Sequence, residues 1–275
     1  MDKYGCVIYG FNFFIGYIVV LKKQNYHEPF HRIIQYYIHW IPKPFRPLLV
    51  KKVLKIEGDV YDNVFSVGAD CTGAETLRAV SLRKFSSPFD WVSGVNLVSR
   101  LDFLLNDLEG MMDKKDIVIH HELSDTAINT YKTVNLKTGM EFPHDFVDVN
   151  KEKSFPIVVE KYNRRFERIK KRMKGSNNLL VYMKEFNDDF DLDNISDRLL
   201  KMSTKFSPSR LDLIYITYNP LIEKSVATLY KSTDRSLIYY VELSKSSTGK
   251  QKWWYDNKFL HAEVSKWLNA VCSRD

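Results

Sequence analysis

A thiol placed where a β-strand gives way to a helix has surroundings suited to a nucleophile, and residues 64–91 (VFSVGADCTGAETLRAVSLRKFSSPFDW) contain one, Cys71. The apolar pattern over 60–67 predicts a strand that stops at Gly68, and the pattern over 76–82 predicts a helix. Thr72 and Glu75 have the T-x-x-E spacing of a capping box, which starts the helix near residue 72. A first helical turn offers unpaired N–H groups and the positive end of the backbone dipole, so it favours an anion. The expectation at Cys71 is therefore a thiol acidified toward the reactive thiolate. The same N–H groups could hold the oxyanion of an acyl intermediate. The competing reading is a small buried residue at a tight turn. Cys6, in an apolar run, and Cys272, near the C-terminus, have no helix-start signal and read as structural or incidental.

A cysteine nucleophile needs a base, usually histidine. Of the 7 histidines, His27, His31 and His39 lie in the N-terminal arm and His261 in a C-terminal helical pattern. His120 and His121 follow a short apolar strand pattern. His144 sits in Glu-Phe-Pro-His-Asp-Phe, a Pro-fixed extended segment within a long irregular region, and ranks first, with His121 second. A third group should orient the imidazole. Asp145 is adjacent, but neighbours in an extended chain point to opposite faces. Asp90, in Ser-Pro-Phe-Asp-Trp, serves if the helix folds back on its own exit loop; otherwise it is a turn acid. Asp90, Asp145 and a distant acid such as Asp212 all stay open.

The elements that must hold these groups alternate. Helical spacing of apolar residues predicts helices over 96–108, 161–174, 191–202 and 259–271, and strands over 117–120, 179–183, 211–218 and 237–243. The fold expected is α/β: a layered, mainly parallel sheet with helices on both faces, the nucleophile at a strand-to-helix turn, and an N-terminal apolar and basic extension. Residues 125–153 show little periodicity and read as a long loop region.

The chain of 275 residues is 44% hydrophobic and 27% charged, enough for a sizeable core and unlike a disordered chain. Its 3 cysteines form no disulfide framework and no zinc spacing, so no metal and no cofactor are expected. The net charge of +7 is carried by residues 22–55, where Lys22, Lys23, Arg32, Lys43, Arg46, Lys51, Lys52 and Lys55 face Glu28 alone. The rest is neutral, which argues against a nucleic-acid surface. Residues 5–21 are uncharged and mostly apolar, 27–41 have helical apolar spacing, and Pro42, Pro44 and Pro47 follow. Two readings stand for this arm: peripheral membrane contact by an interfacial anchor, or a strand and helix packed into the globule. The division expected is 1–55 as extension and 56–275 as catalytic domain, in a cytoplasmic protein that in the first reading touches the membrane surface.

The strand–Cys–helix block, the Ser-x-Pro-Phe-Asp-Trp run at 86–91, the Phe-Pro-His-Asp-Phe run at 142–146 and the basic Tyr-x-Arg-Arg-Phe-x-Arg run at 162–168 together resemble a family of unknown function described as "putative papain-like cysteine peptidases". The resemblance covers about residues 60 to 220. It implies that the family's Cys falls on Cys71, its His on His144, and its Pro-Phe-Asp-Trp acid on Asp90. The order Cys then His is also that of papain-type enzymes. Where the family often has Asn before the Cys, this chain has Asp70, and a carboxylate there opposes thiolate formation. Papain-like enzymes join a helical half to an antiparallel barrel-like half, whereas the periodicity predicts a layered parallel sheet. Fold is therefore read from periodicity and site from motif.

The function expected is a papain-like cysteine peptidase or hydrolase using a Cys-His pair. One alternative is a thiol-dependent acyltransferase in surface glycan biosynthesis, with which the resemblance is associated. The other is a non-enzymatic binding protein. Peptide, glycan and lipid-linked substrates all fit.

Overall fold

The computed structural model describes residues 61–244, except 80–81, 126–128, 186–189, 220 and 234–235, together with Leu268. All lie within the unit 56–275. The extension 1–55, with the apolar run 5–21 and the helix expected over 27–41, lies outside the described residues, as does the helix expected over 259–271 apart from Leu268.

In chain order the elements are β1 (Asn63–Ser66), α1 (Cys71–Ala79), α2 (Leu97–Leu105), β2 (Ile117–Leu123), β3 (Tyr131–Asn135), α3 (Lys151–Met173), β4 (Asn177–Glu185), α4 (Leu192–Phe206), β5 (Arg210–Asn219), β6 (Val226–Thr233) and β7 (Ser236–Ser244). Five strands form one sheet in the order β1-β4-β5-β7-β6. The first three pairings are parallel; β6 alone runs antiparallel, against β7. The mainly parallel α/β sheet predicted from apolar runs is present, because strands covered on both faces need apolar residues at every position.

Alternation along the strands divides the core. Phe65, Leu180, Tyr182, Leu213 and Tyr215 face α2, α3 and α4, whose buried stripes include Leu101, Tyr162, Phe166 and Leu199. Val64, Leu179, Val181, Ile214 and Ile216 point the other way, toward Leu77 of α1 and Leu268. Asn96 and Asp191 cap α2 and α4 through their side chains, accepting from Ser99 N and Asn194 N.

Three expectations change. The helix predicted over 161–174 begins at Lys151, because Asn150 caps it by accepting from Glu152 N and Lys153 N, and Pro156 is accommodated near its start. The region 125–153 is not all loop: β3 pairs antiparallel with β2, and the pair forms a separate two-stranded sheet. Strand β6 was not predicted at all. Its residues 226–229 are exposed on both faces and so carry no apolar alternation. Among the described residues no helix is long and apolar enough to cross a membrane.

Candidate active site

Strand β1 hands the chain directly to α1. Beyond the strand, Val67 N still donates to Val181 O (2.9 Å) and Ala69 N to Met183 O (3.3 Å), so β4 guides the turn. Two glycines let helix and strand meet closely. A Cβ on Gly68 would lie 2.7 Å from Asp70 O, and one on Gly73 would lie 2.9 Å from Ser66 Oγ. The cap is not the expected one. Asp70 Oδ1 accepts from Thr72 N (2.7 Å), which makes Asp70 the N-cap and Cys71 the first helical residue. Thr72 is buried, and Glu75 pairs with Arg78 instead of closing a capping box.

Cys71 is a free, partly exposed thiol. Its acidity is the reverse of the expectation. Burial, then the Asp70 carboxylate, then Glu75 push it up to about 11, outweighing its own backbone N–H, which favours the thiolate. The helix start supplies that N–H, but the residue that caps the helix is itself an anion.

The segment carrying His144 is fastened from both sides. Phe142 and Phe146, both fully buried and edge-to-face with ring centroids 6.3 Å apart, anchor it. Phe142 N donates to Thr133 O (2.9 Å), Tyr131 N to Phe146 O (2.7 Å) and Thr130 Oγ1 to Pro143 O (2.6 Å), which ties the turn to β3 and its approach. Between these anchors the His144 ring lies half-buried against Trp91, centroids 5.3 Å apart. Burial foremost, with Lys161 adding to it, pulls the imidazole below its ordinary value, while Asp145 and Glu75 oppose. At neutral pH both thiol and imidazole are therefore uncharged. Among the described residues no hydrogen bond joins Cys71 to His144. What they share is Glu75, one turn along α1 from the thiol, whose charge acts on both.

The acids proposed to orient the imidazole have other partners. Asp90, 1% exposed, accepts from Arg83 Nε (3.1 Å) and Ser87 N (2.9 Å), closing the Ser86–Trp91 turn. Burial raises its pKa, and Arg83 opposes that most strongly. Arg83 also lies over the Trp91 ring at 5.6 Å, so Asp90 supports the wall against which His144 packs. Asp145 holds Lys161 and the Tyr162 hydroxyl of α3. Asp212 sits at the start of β5, buried, with Tyr61, Arg210 Nε (2.7 Å) and Leu237 N (2.8 Å). His120 and His121 are exposed on β2.

Two segments far apart in sequence are laced together here. Ser93 N donates to Glu141 O (3.2 Å) and Glu141 N to Ser93 O (3.0 Å). Gly94 has φ of +90°, and a Cβ there would stand 2.1 Å from Gly139 O, so only glycine fits. The fully buried Arg100 of α2 bonds Ala69 O and Val92 O through one nitrogen. Glu75, Trp91 and Arg100 were not picked out as site residues from sequence. Arg100 had a signal, since it lies three residues after Leu97 and four before Leu104, inside an apolar stripe.

A family model described as "Putative papain-like cysteine peptidase" matches residues 62–213, a span that holds Cys71, Asp90 and His144. The chain belongs to this family. The papain-like match ends within β5, before the antiparallel edge of the sheet. An uncharacterized protein, R408, of Acanthamoeba polyphaga mimivirus is 26% identical over 178 residues, which cover 58% of this chain and 79% of that protein. No solved structure matches the chain.

Proposed function

We propose that this papain-like family member carries out cysteine-dependent acyl transfer, with Cys71 as nucleophile and His144 as base. The observation that supports the reading is that one carboxylate, Glu75, acts both on a partly exposed thiol at the first position of α1 and on a half-buried imidazole held below its ordinary value. Because both groups start uncharged, the pair works by proton transfer during attack and not as a preformed ion pair. Sγ bonds the carbonyl carbon as His144 takes the thiol proton. The tetrahedral intermediate expels its amine or alcohol, which leaves with that proton. The Cys71 N–H beside the sulfur supplies one donor for the oxyanion. The thioester is then resolved by water or by an acceptor hydroxyl or amine, whose proton passes through His144 back to the sulfur.

An activity-based thiol probe tests this. Labelling at Cys71 that is lost in Cys71→Ala and falls in His144→Ala supports it; equal labelling with and without His144 ends the dyad assignment. Product released into water marks a hydrolase, and product appearing on an added sugar or lipid acceptor marks a transferase. The elevated thiol favours a second reading, a binding protein in which Asp70 keeps the sulfur inert. Failure of every electrophile to label Cys71 would favour that reading. A lipid-linked substrate met at a membrane surface through residues 1–55 is the reading of the basic arm.

A further inference from the structure

We propose that Arg100 is a positioning residue for the Cys71–His144 pair: its guanidinium locks the segment that presents the thiol to the segment that presents the Trp91 wall of the imidazole. The inference rests on the acyl-transfer reading above. Arg100 is 0% exposed. Its Nε donates to Val95 O (3.0 Å), and its Nη2 donates to both Ala69 O (2.9 Å) and Val92 O (3.1 Å). The guanidinium carbon lies 5.7 Å from the Phe89 ring centre, and Nη1 has no partner among the described residues.

No carboxylate is hydrogen-bonded to this cation among the described residues, though the Asp70 charge acts on it. Burying a guanidinium on those terms is a costly way to fill an apolar stripe, and a Leu or Met would complete the run of Leu97, Leu101 and Leu104 without that cost. What only arginine provides is a planar fork that reaches three carbonyls at fixed angles. The carbonyls it selects are informative. Ala69 precedes Cys71 by two residues. Val92 follows Trp91, whose ring meets His144, and Ser93 beyond it is bonded to Glu141 of the His144 segment. A single nitrogen thus links the thiol's segment to the Trp91 segment, which is in turn bonded to the His144 segment. Misplacement of reacting groups by about 1 Å lowers rates by roughly a hundredfold, so a rigid link here acts on chemistry as well as on folding.

The test uses the full chain as wild type, Arg100→Lys and Arg100→Met, each with and without His144→Ala. The second-order rate of iodoacetamide reaction at Cys71 is followed by mass spectrometry from pH 6 to 11, on protein whose near-ultraviolet circular dichroism shows it folded. The expected result is that wild type reacts several-fold faster than His144→Ala near pH 7.5. In Arg100→Lys, which keeps the charge and loses the fork, that ratio falls to about one. In Arg100→Met the titration of the thiol also moves upward, because the Asp70 charge loses its nearby cation. A folded Arg100→Lys with the wild-type ratio and pH profile overturns the inference and leaves the Cys-His reading standing. A wild type indifferent to His144 overturns both. If the variants do not fold, wild-type protein decides: alkylation of Cys71 should shift the Arg100 Nε–H resonance, and an unmoved resonance refutes the link.

Discussion

At Asp70 one carboxylate does two things at once: it caps α1 through Thr72 N and it raises the thiol beside it. The two effects separate in Asp70→Asn, since an amide oxygen caps as well as a carboxylate does. That variant should keep its stability within about 0.5 kcal/mol and react with iodoacetamide several-fold faster at pH 7.5, as measured by the rate of Cys71 labelling. In the wild type the labelling rate should go on climbing past pH 9 toward a thiol value of about 11 instead of levelling off. His144 gives a stability prediction of definite sign. Its folded value lies below the ordinary 6.5, so folding favours the neutral ring. The contribution is present above about pH 6.5 and is lost as the pH falls through the folded value. Urea midpoints at pH 7.5 and 5.5 should therefore differ less in His144→Gln than in wild type. Asp90 has its hydrogen bonds with Arg83 and Ser87, so Asp90→Ala should cost about 3–5 kcal/mol in unfolding. The His144 titration, followed by NMR, should not fall, because no carboxylate contact to the ring is lost; a large fall would restore Asp90 as the orienting acid.

At the scale of elements, the site depends on three short segments being carried by different parts of the fold. The thiol rides on the β1-to-α1 turn, the Trp91 wall on the turn before α2, and the imidazole on a loop anchored to β3. Phe142 and Phe146 are the anchors of that loop, both 0% exposed. Phe146→Ala should cost about 3–5 kcal/mol and also abolish the influence of His144 on Cys71 labelling. The close pass of Gly94 and Gly139 is sharper still. Gly94→Ala must bear a positive φ and a Cβ facing Gly139 O, so it should destabilise by more than about 1 kcal/mol. These elements were only partly readable. Helices α2 and α4 were legible because their apolar stripes keep helical spacing. The start of α3 was not, because its first turns bury little beyond Ser154 and Val158. Strand β3 was hidden because a short strand in a two-stranded sheet, with only Thr133 and Asn135 buried, has no apolar alternation to show.

At the scale of the whole molecule, the charge is divided unevenly along the chain. Residues 22–55 hold the full net charge of +7. If that arm docks on anionic lipid, the full chain should float with anionic liposomes and lose that behaviour in high salt. A chain lacking residues 1–55 that floats equally well would remove the membrane from the picture.

The candidate thiol and imidazole and the mainly parallel sheet were legible in the amino-acid order alone, since residue type, local spacing and apolar periodicity are short-range properties. The family match covers residues 62–213, the span that holds those local motifs. Tertiary structure decided the rest. It turned Asp90 toward Arg83 and Asp145 toward α3, made Asp70 the cap, and raised the thiol that a helix start by itself would acidify. It also buried Arg100 between loops separated by some twenty residues of chain. Electrostatic effects and hydrogen bonds of that kind depend on through-space distance and on exclusion of water, and neither is written in the spacing of residues along the chain.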